Sequence, residues 1–463
     1  MPTANVAKKA KRNPNEPVQI AIVGGGPKAA ALAAKASVLS NSGRGVTVNV
    51  TIFESSEIGA YWSGKGGYTN GEQRLCTIAE RDVGYPYRSM FDKSLDVEMA
   101  SRFSWGRFLH GRSKGDRRAY STWVDGGRKP PLHKDFADYL KWVVDESGQK
   151  VEIGKVTELA KAAPEKWRIK SEDANGNVSV HRTHFDAVVV TGPGPARSVK
   201  TRPGSGDPLP AARIFDGASF WLRHDEVKKC LARAAKEQQK LGALANPIVL
   251  IGAGGTAAAI LSWLVANGAK DLPIQIVANQ AALYTRVDSV FENRLFSDPT
   301  QWESLSPDSR KAFFDRLNRG VVWATVMDQV SSATNFTMVD GRAQFVKPTG
   351  KDKINLEVKR GDGTSYSAEP VMLVDCSGFD PWWFLSLIKG LPARIKKEAD
   401  LRPGWQQLMG KALQLKGAPW DDFPPLHAPM LSSNLGPGYG SLMVLGAMAD
   451  RVLHAHAGLI NVS

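Results

Sequence analysis

The stretch VQIAIVGGGPKA, residues 18–29, indicates the fold of the first part of the chain. Its first half is a short apolar run, typical of a buried parallel strand, and three glycines follow at once. The Ala- and Leu-rich segment 30–39 is a good helix former, and the β-branched run 46–53 predicts a second strand. The order of strand, glycine turn, helix and strand is that of a βαβ unit. It predicts an α/β domain built on a parallel sheet.

The glycine turn of this unit has the spacing of a dinucleotide-binding site. Gly24 permits the tight turn, Gly26 lets the backbone approach a diphosphate, and Ala29 allows close packing of helix on strand. Pro27 opens the helix, whose free N–H groups favour an anion. Glu54 ends the second strand, where a carboxylate can accept hydrogen bonds from ribose hydroxyls. The pattern predicts FAD or NAD as the ligand, and the less favoured alternative is a glycine-rich turn without one.

The same pattern returns at PIVLIGAGGTA, residues 247–257. Gly252 and Gly254 match the first two glycines, Ala257 takes the third position, and Thr256 stands in the first turn of an Ala-rich helix. A single such turn is a weak signal, whereas two turns, each between an apolar strand and a helix, are much stronger. The chain therefore predicts two dinucleotide-binding domains.

The end of the next strand distinguishes the second unit from the first. The strand 274–277 runs into Asn279 and carries no carboxylate, and the next cation along the chain is Arg286. An absent acid with a nearby arginine favours the 2′-phosphate of NADPH. Arg286 could equally be an ordinary surface arginine, so the preference for NADPH over NADH stays open at this point.

Composition excludes several other classes. The chain has 463 residues, a net charge of +14 and a hydrophobic fraction of 42%, which is typical of a globular protein of several domains. No apolar run is long enough to span a bilayer, and the N-terminus is not a secretory signal, so we expect a cytoplasmic protein. The three cysteines, Cys76, Cys230 and Cys376, have neither a CxxC nor a metal-ligand spacing. Part of the charge lies in a basic tail, residues 1–17, which we expect to be disordered, and the rest is dispersed, which does not favour nucleic acid.

Several further stretches resemble the flavin-dependent N-hydroxylating monooxygenases, which include the siderophore ornithine and lysine hydroxylases. The resemblance covers most of the chain after the tail, at low identity, and its motifs occur in the family's order. The matching stretches are PLHKDFADYLKW at 131–142, DSVFENRLFS at 288–297, DCSGF at 375–379 and GYGSLMVL at 438–445.

The resemblance assigns further cofactor contacts. Trp62 follows Glu54, the predicted ribose-binding acid, and the family has a tryptophan near the flavin at this place. Gly378 lies in the stretch that corresponds to the family's Ala-Thr-Gly-Tyr motif. Ser441 and Leu442 lie where the family has a helix start whose N–H groups face the flavin ring. The segment 64–84 would lie on the open side of the flavin. The candidates in this segment for flavin or substrate contacts are Gln73 and Arg81. Both are explained about equally well as ordinary loop residues.

The substrate residues depart in part from the family. Asn293 matches the family's substrate-binding asparagine, but Arg294 replaces the glutamate beside it. A second asparagine of the family has no clear equivalent near Trp323, which suggests a more aromatic pocket. These departures speak against a substrate like ornithine or lysine, and Arg294 hints at an acidic one.

The resemblance implies an α/β fold of two Rossmann-like domains with a small helical region facing the substrate. Its predicted parts are an FAD domain at 18–210 and 371–463, split around an NADPH domain at 211–370. The implied activity is N-hydroxylation of a small amine with O₂, NADPH and FAD through a C4a-hydroperoxyflavin, without a catalytic triad or a metal, in a homo-oligomer. A reductase or oxidase on the same scaffold is the main alternative, and a nonenzymatic or nucleic-acid-associated protein is a third.

Overall fold

The computed structural model describes residues 16–65, 67–111, 118–163, 165–204, 208–286, 289–317, 321–333, 335–350 and 352–457. Most of the predicted basic tail lies outside these residues. The strands of the described part are β1 (Val18–Val23), β2 (Val48–Glu54), β3 (Lys150–Ile153), β4 (Lys155–Ala163), β5 (Lys166–Glu172), β6 (Val178–Val180), β7 (Ala187–Val190), β8 (Ile214–Asp216), β9 (Ile248–Ile251), β10 (Ile274–Ala278), β11 (Tyr284–Arg286), β12 (Val321–Trp323), β13 (Phe336–Asp340), β14 (Arg342–Pro348), β15 (Ile354–Lys359), β16 (Ser365–Ala368), β17 (Met372–Asp375) and β18 (Leu426–His427).

The α-helices of the same residues follow in chain order, with short 3₁₀ turns between several of them. They are α1 (Pro27–Asn41), α2 (Ala60–Ser63), α3 (Lys93–Phe103), α4 (Trp105–Gly111), α5 (Ala119–Asp125), α6 (His133–Ser147), α7 (Ser219–Leu222), α8 (His224–Leu241), α9 (Gly255–Leu264), α10 (Val290–Ser297), α11 (Pro299–Glu303), α12 (Pro307–Leu317), α13 (Ala324–Val330), α14 (Ala393–Lys397), α15 (Arg402–Gln407) and α16 (Leu445–His454).

The first sheet has the strand order β18-β7-β1-β2-β3, and its neighbouring strands are parallel. Helix α1 connects β1 to β2 and is buried over almost its whole length, because it packs between this sheet and the helices α6 and α16. Its many alanines allow this close approach on every side.

The second sheet has the order β13-β10-β9-β17-β8, again with parallel neighbours. Helix α9 connects β9 to β10 and covers one face. Strand β17 pairs with β9 and β8, so this sheet continues past the boundary predicted between residues 370 and 371. The predicted α/β class with two parallel sheets is confirmed.

The two sheets are joined by packed loops and flanked by antiparallel ribbons, β4-β5-β6 and β14-β15-β16. Tyr68 bridges the two units: its hydroxyl donates to Gly194 O at 2.6 Å, and its ring stacks on Tyr61 and meets Phe379 edge-on. Gly194 itself lies so close to the residues after β17 that a Cβ there would be 2.1 Å from Asp380 O. The carboxyl ends of both sheets are therefore held beside one set of loops.

Candidate active site

The two glycine turns have nearly the same backbone. Gly24 has a φ of +101° and Gly252 a φ of +94°, both in the region that side chains disfavour. Gly26 and Gly254 are the N-caps of α1 and α9, with φ/ψ of −89°/−166° and −89°/−170°. The predicted turns thus form at the carboxyl ends of β1 and β9, and each aims the free N–H groups of a helix out of its sheet.

Glu54 is tied into the first turn. Its side chain is buried, with 4% of the residue exposed, and Oε2 accepts from Gly25 N at 2.7 Å. Oε1 accepts from Ser56 N at 3.0 Å and from the Ser55 hydroxyl at 3.0 Å. The Ser56 hydroxyl approaches the same oxygen at 3.5 Å, and ribose hydroxyls can replace the two serine hydroxyls as donors to this carboxylate. Glu54 therefore both shapes the turn and fits the predicted ribose contact.

Open space in the first turn fits a diphosphate. A Cβ added at Gly26 would meet nothing within 4 Å, whereas one at Gly24 would lie 2.8 Å from Thr191 Oγ1. The Thr191 hydroxyl donates towards Val23 O and Gly24 O, each at 3.0 Å, and so holds the turn from the side of β7. The turn is therefore packed against β7 at Gly24 and open at Gly26, which leaves space for a diphosphate at the helix N-terminus. Pro27 and Ala29 form the start of α1, as predicted.

The second turn is packed differently. A Cβ at Gly252 would be 2.9 Å from Cys376 O, and Thr256 lies against Gly217 through its methyl group. Gly378, with a φ of +101°, follows β17 and therefore lies beside this second turn. Ala257 is fully buried on the inner side of α9. The predicted residues Gly252, Gly254, Thr256, Ala257 and Gly378 are thus brought together at one sheet edge.

Arg342 is a cation that the sequence interpretation missed. It follows β13, the neighbour of β10, and it lies beside Asn279 at the end of β10. With the amide of Asn279 turned so that its oxygen faces the guanidinium, it accepts from Arg342 Nη2 at 3.1 Å and donates to Gly341 O at 3.0 Å. Arg342 is remote in sequence from Asn279, so only the sheet order reveals it. Arg286, the arginine predicted for this position, ends β11 and is the strand partner of Trp323.

The loop before α16 forms another wall. Helix α16 begins at Leu445, so Ser441 and Leu442 lie in a turn before the helix, not in its first turn. The Ser441 hydroxyl donates to Gly438 O at 2.8 Å and accepts from Met443 N at 3.1 Å. Arg81 reaches this loop: its Nη1 lies 3.2 Å from Met443 Sδ and donates to Thr77 Oγ1 at 3.0 Å.

Trp62 and Gln73 lie close to His133, at the start of α6. Trp62 meets the His133 ring edge-on, with 4.8 Å between ring centroids, and the Gln73 carbonyl accepts from His133 N at 2.8 Å. Gln73 Oε1 and His133 Nδ1 are buried and without a hydrogen-bond partner among the described residues. Burial lowers the pKa of His133 to about 4, so the imidazole is neutral at physiological pH. Beside Trp62 there are thus two buried polar atoms that a bound ligand or water can satisfy.

Helix α10 carries the predicted substrate residues and packs against the loop before α16. A Cβ at Gly438 would be 2.5 Å from Phe296 O, which shows how closely the two approach. Asn293 is half-buried and Arg294 is exposed. Adjacent positions on a helix point about 100° apart, so the two side chains do not face the same space. Asp288, from the same motif, lies outside the described residues.

Comparisons with known proteins agree with this geometry. The family model for L-lysine 6-monooxygenase/L-ornithine 5-monooxygenase matches residues 97–344. The chain is 33% identical over 446 residues to the L-lysine N6-monooxygenase MbtG of Mycobacterium tuberculosis, with 94% of each chain covered. The lysine monooxygenase NbtG of Nocardia farcinica superposes with a TM-score of 0.72 at 27% identity, over 94% of this chain and 99% of that one.

A more distant structure shares the fold. The ornithine N-hydroxylase KtzI of Kutzneria sp. 744, described with reduced FAD, NADP⁺ and L-ornithine, gives a TM-score of 0.67 at 17% identity and covers 95% of this chain and 99% of that one.

Among the described residues, no helix combines the length and the apolar character needed to cross a membrane.

Proposed function

Because the chain belongs to the family of L-lysine 6-monooxygenases and L-ornithine 5-monooxygenases, we propose that it hydroxylates the N6 amine of L-lysine. The observation that carries the choice of lysine is the 33% identity to a lysine N6-monooxygenase over 94% of both chains. Family membership confirms the predicted enzyme class, an N-hydroxylating monooxygenase that uses FAD and NADPH.

The two glycine turns divide the cofactors between them. We assign FAD to the first turn, because Glu54 supplies the ribose acceptor there and the loop with Ser441 and Leu442 lies alongside. We assign NADPH to the second turn, where β10 ends in Asn279 and the cation Arg342 lies beside it. The domain division predicted from the sequence is kept in this proposal, with β17 moved to the NADPH domain.

The work of the protein in this reaction is to bind, to orient and to exclude water. FAD, when bound at the first turn, would supply the redox and oxygen chemistry, and NADPH at the second turn would supply the reducing equivalents. The N–H groups of α1 and α9 hold the two diphosphates, and the loop at Ser441 with Arg81 borders the flavin end. The contacts between the loops that carry Tyr68 and Gly194 keep both turns at one cleft.

Substrate residues are proposed on the same basis. Asn293 on α10 is the first candidate to contact the amino acid, and the further candidates carried over from the sequence are Gln73, Arg81 and Trp323. Arg294 is exposed and points away from the space that Asn293 faces, so we leave it out of the proposed substrate contacts. Arg294 and the missing second asparagine spoke against a substrate like lysine, but the relatives named for lysine favour lysine.

The test is a substrate panel with the FAD-loaded enzyme. L-Lysine, L-ornithine and cadaverine are each supplied with NADPH and O₂, and hydroxylamine product is counted against NADPH oxidised. L-Norleucine, which lacks the side-chain amine, is the matched control. We expect lysine to stimulate NADPH oxidation and to give N6-hydroxylysine, and norleucine to give no hydroxylamine. Peroxide as the main product with every amine would instead favour the oxidase alternative.

A further inference from the structure

Lys28 is a buried lysine inside the first glycine turn. It stands two residues after Gly26 in the first turn of α1, and it is 6% exposed. Its Nζ donates to Gly440 O at 2.9 Å. The side chain therefore spans from the helix N-terminus, where we place the diphosphate of FAD, to the loop that carries Ser441 and Leu442.

The ammonium of Lys28 has no carboxylate partner in the described ranges. The contrast is Lys35 on the same helix, which is 1% exposed and lies 3.0 Å from Asp450 Oδ1 and 3.9 Å from Asp96 Oδ1. A buried charge without a counter-ion is costly, whereas one with a partner is tolerated. The structure thus gives one buried lysine of α1 an internal counter-ion and leaves the other with a carbonyl oxygen.

The ionisable groups on the elements packed around Lys28 do not supply that counter-ion. Glu54, at the end of β2, accepts hydrogen bonds from Gly25, Ser55 and Ser56. The others are Asp450 and Arg451 of α16, Tyr439 of the loop before it, Arg81 beside Met443, Asp96 of α3, which faces Lys35, and the ionisable groups of α6. In the described ranges none of these groups forms an ion pair with Lys28. Burial lowers the pKa of the Lys28 amine from its usual 10.5 to about 8.

We propose that Lys28 provides a buried positive charge to the diphosphate of FAD and takes up its proton when FAD binds. The inference rests on the proposed binding of FAD at the first turn. A diphosphate at the N-terminus of α1 brings to this region the negative charge that the protein does not supply. The second turn has the uncharged Thr256 at the equivalent position, so the buried lysine distinguishes the first turn from the second.

The experiment is calorimetry of FAD binding to the apoprotein in two buffers of different ionisation enthalpy, which counts the protons taken up. At about pH 9 the free amine is mostly neutral, so we expect an uptake close to one proton per FAD, falling towards zero at about pH 7. Lys28→Met should abolish the uptake and raise the Kd for FAD about tenfold or more. Lys28→Arg should also abolish the uptake, because arginine stays protonated, and should bind FAD more tightly than Lys28→Met does.

The controls separate the competing explanations. Lys150→Met removes an exposed lysine at the start of β3, the edge strand of the first sheet, and should change neither the uptake nor the Kd. ADP, which carries the diphosphate without a flavin, should produce the same uptake as FAD. Uptake with FAD but not with ADP would contradict the assignment to the diphosphate.

The failures can be told apart. FAD binding with no proton uptake at about pH 9, or uptake that persists in Lys28→Met, overturns the role of Lys28 and leaves the proposed function standing. An apoprotein that binds no FAD overturns the proposed function itself. If Lys28→Met does not fold, the proton count of the wild-type protein at the two pH values decides.

Discussion

The two glycine turns have the same backbone and different surroundings. Both place a glycine at positive φ after a buried strand and cap a helix with a second glycine. The first is closed by a buried carboxylate, Glu54, and contains a buried lysine, whereas the second has Asn279, Arg342 and Thr256 at the corresponding places. In the proposed assignment, both turns provide a diphosphate site, and the side chains around each turn decide which dinucleotide binds there.

The largest effect is expected from a Cβ at the first glycine of each turn. Gly24→Ala introduces a side chain at positive φ, 2.8 Å from Thr191 Oγ1, and Gly252→Ala does the same 2.9 Å from Cys376 O. With strain of up to about 3 kcal/mol, we expect Gly24→Ala to raise the Kd for FAD by up to about 150-fold, measured by flavin fluorescence. Gly252→Ala should keep its FAD and raise the KM for NADPH at least about tenfold.

The control for this pair is Gly43→Ala, which also places alanine at positive φ but meets nothing within 4 Å. It should lose some stability and retain both cofactor affinities. If Gly24→Ala weakened NADPH and Gly252→Ala released FAD, the assignment of the two cofactors would have to be exchanged.

A somewhat smaller effect is expected at Glu54. Glu54→Ala removes the acceptor of Gly25 N and of Ser56 N. Hydrogen bonds to a charged group contribute about 1.5–3 kcal/mol, so the Kd for FAD should rise about 10- to 100-fold. Glu54→Gln, which keeps one acceptor oxygen for Gly25, should lose less. A Kd for FAD unchanged in Glu54→Ala would remove this residue from the cofactor site.

The smallest effect is expected at Arg342, because its side chain is exposed and solvent weakens its charge. Arg342→Ala should raise the KM for NADPH about five- to tenfold and leave the KM for NADH unchanged. Steady-state kinetics with both nucleotides measure this, with Arg286→Ala as the matched control. If Arg286→Ala alone changed the preference for NADPH, the residue indicated by the sequence would be the right one.

Local patterns allowed the turns to be predicted, since glycine spacing, strand residues and the helix that follows are all contiguous. Glu54 was found for the same reason, because it directly follows its strand. Arg342 could not be found in this way, because it reaches Asn279 only through the pairing of β13 with β10. Strand β17 joins the second sheet for a similar reason, since its partners β8 and β9 are distant in sequence.

Lys28 is an intermediate case. A lysine within an Ala-rich helix that is apolar on every side signals burial, but its lack of a carboxylate partner depends on the three-dimensional packing. The start of α16 at Leu445 was also set by packing, because Gly446 lies against Gly84 so closely that a Cβ would be 2.2 Å from its carbonyl oxygen.

The fate of isotopically labelled O₂ shows whether the enzyme inserts oxygen into the N6 amine of lysine. FAD-loaded enzyme is incubated with L-lysine, NADPH and the labelled gas, and the product is analysed by mass spectrometry. We expect N6-hydroxylysine that carries one labelled oxygen atom, in an amount close to the NADPH consumed. Label found only in peroxide or water, with lysine recovered unchanged, would contradict this expectation.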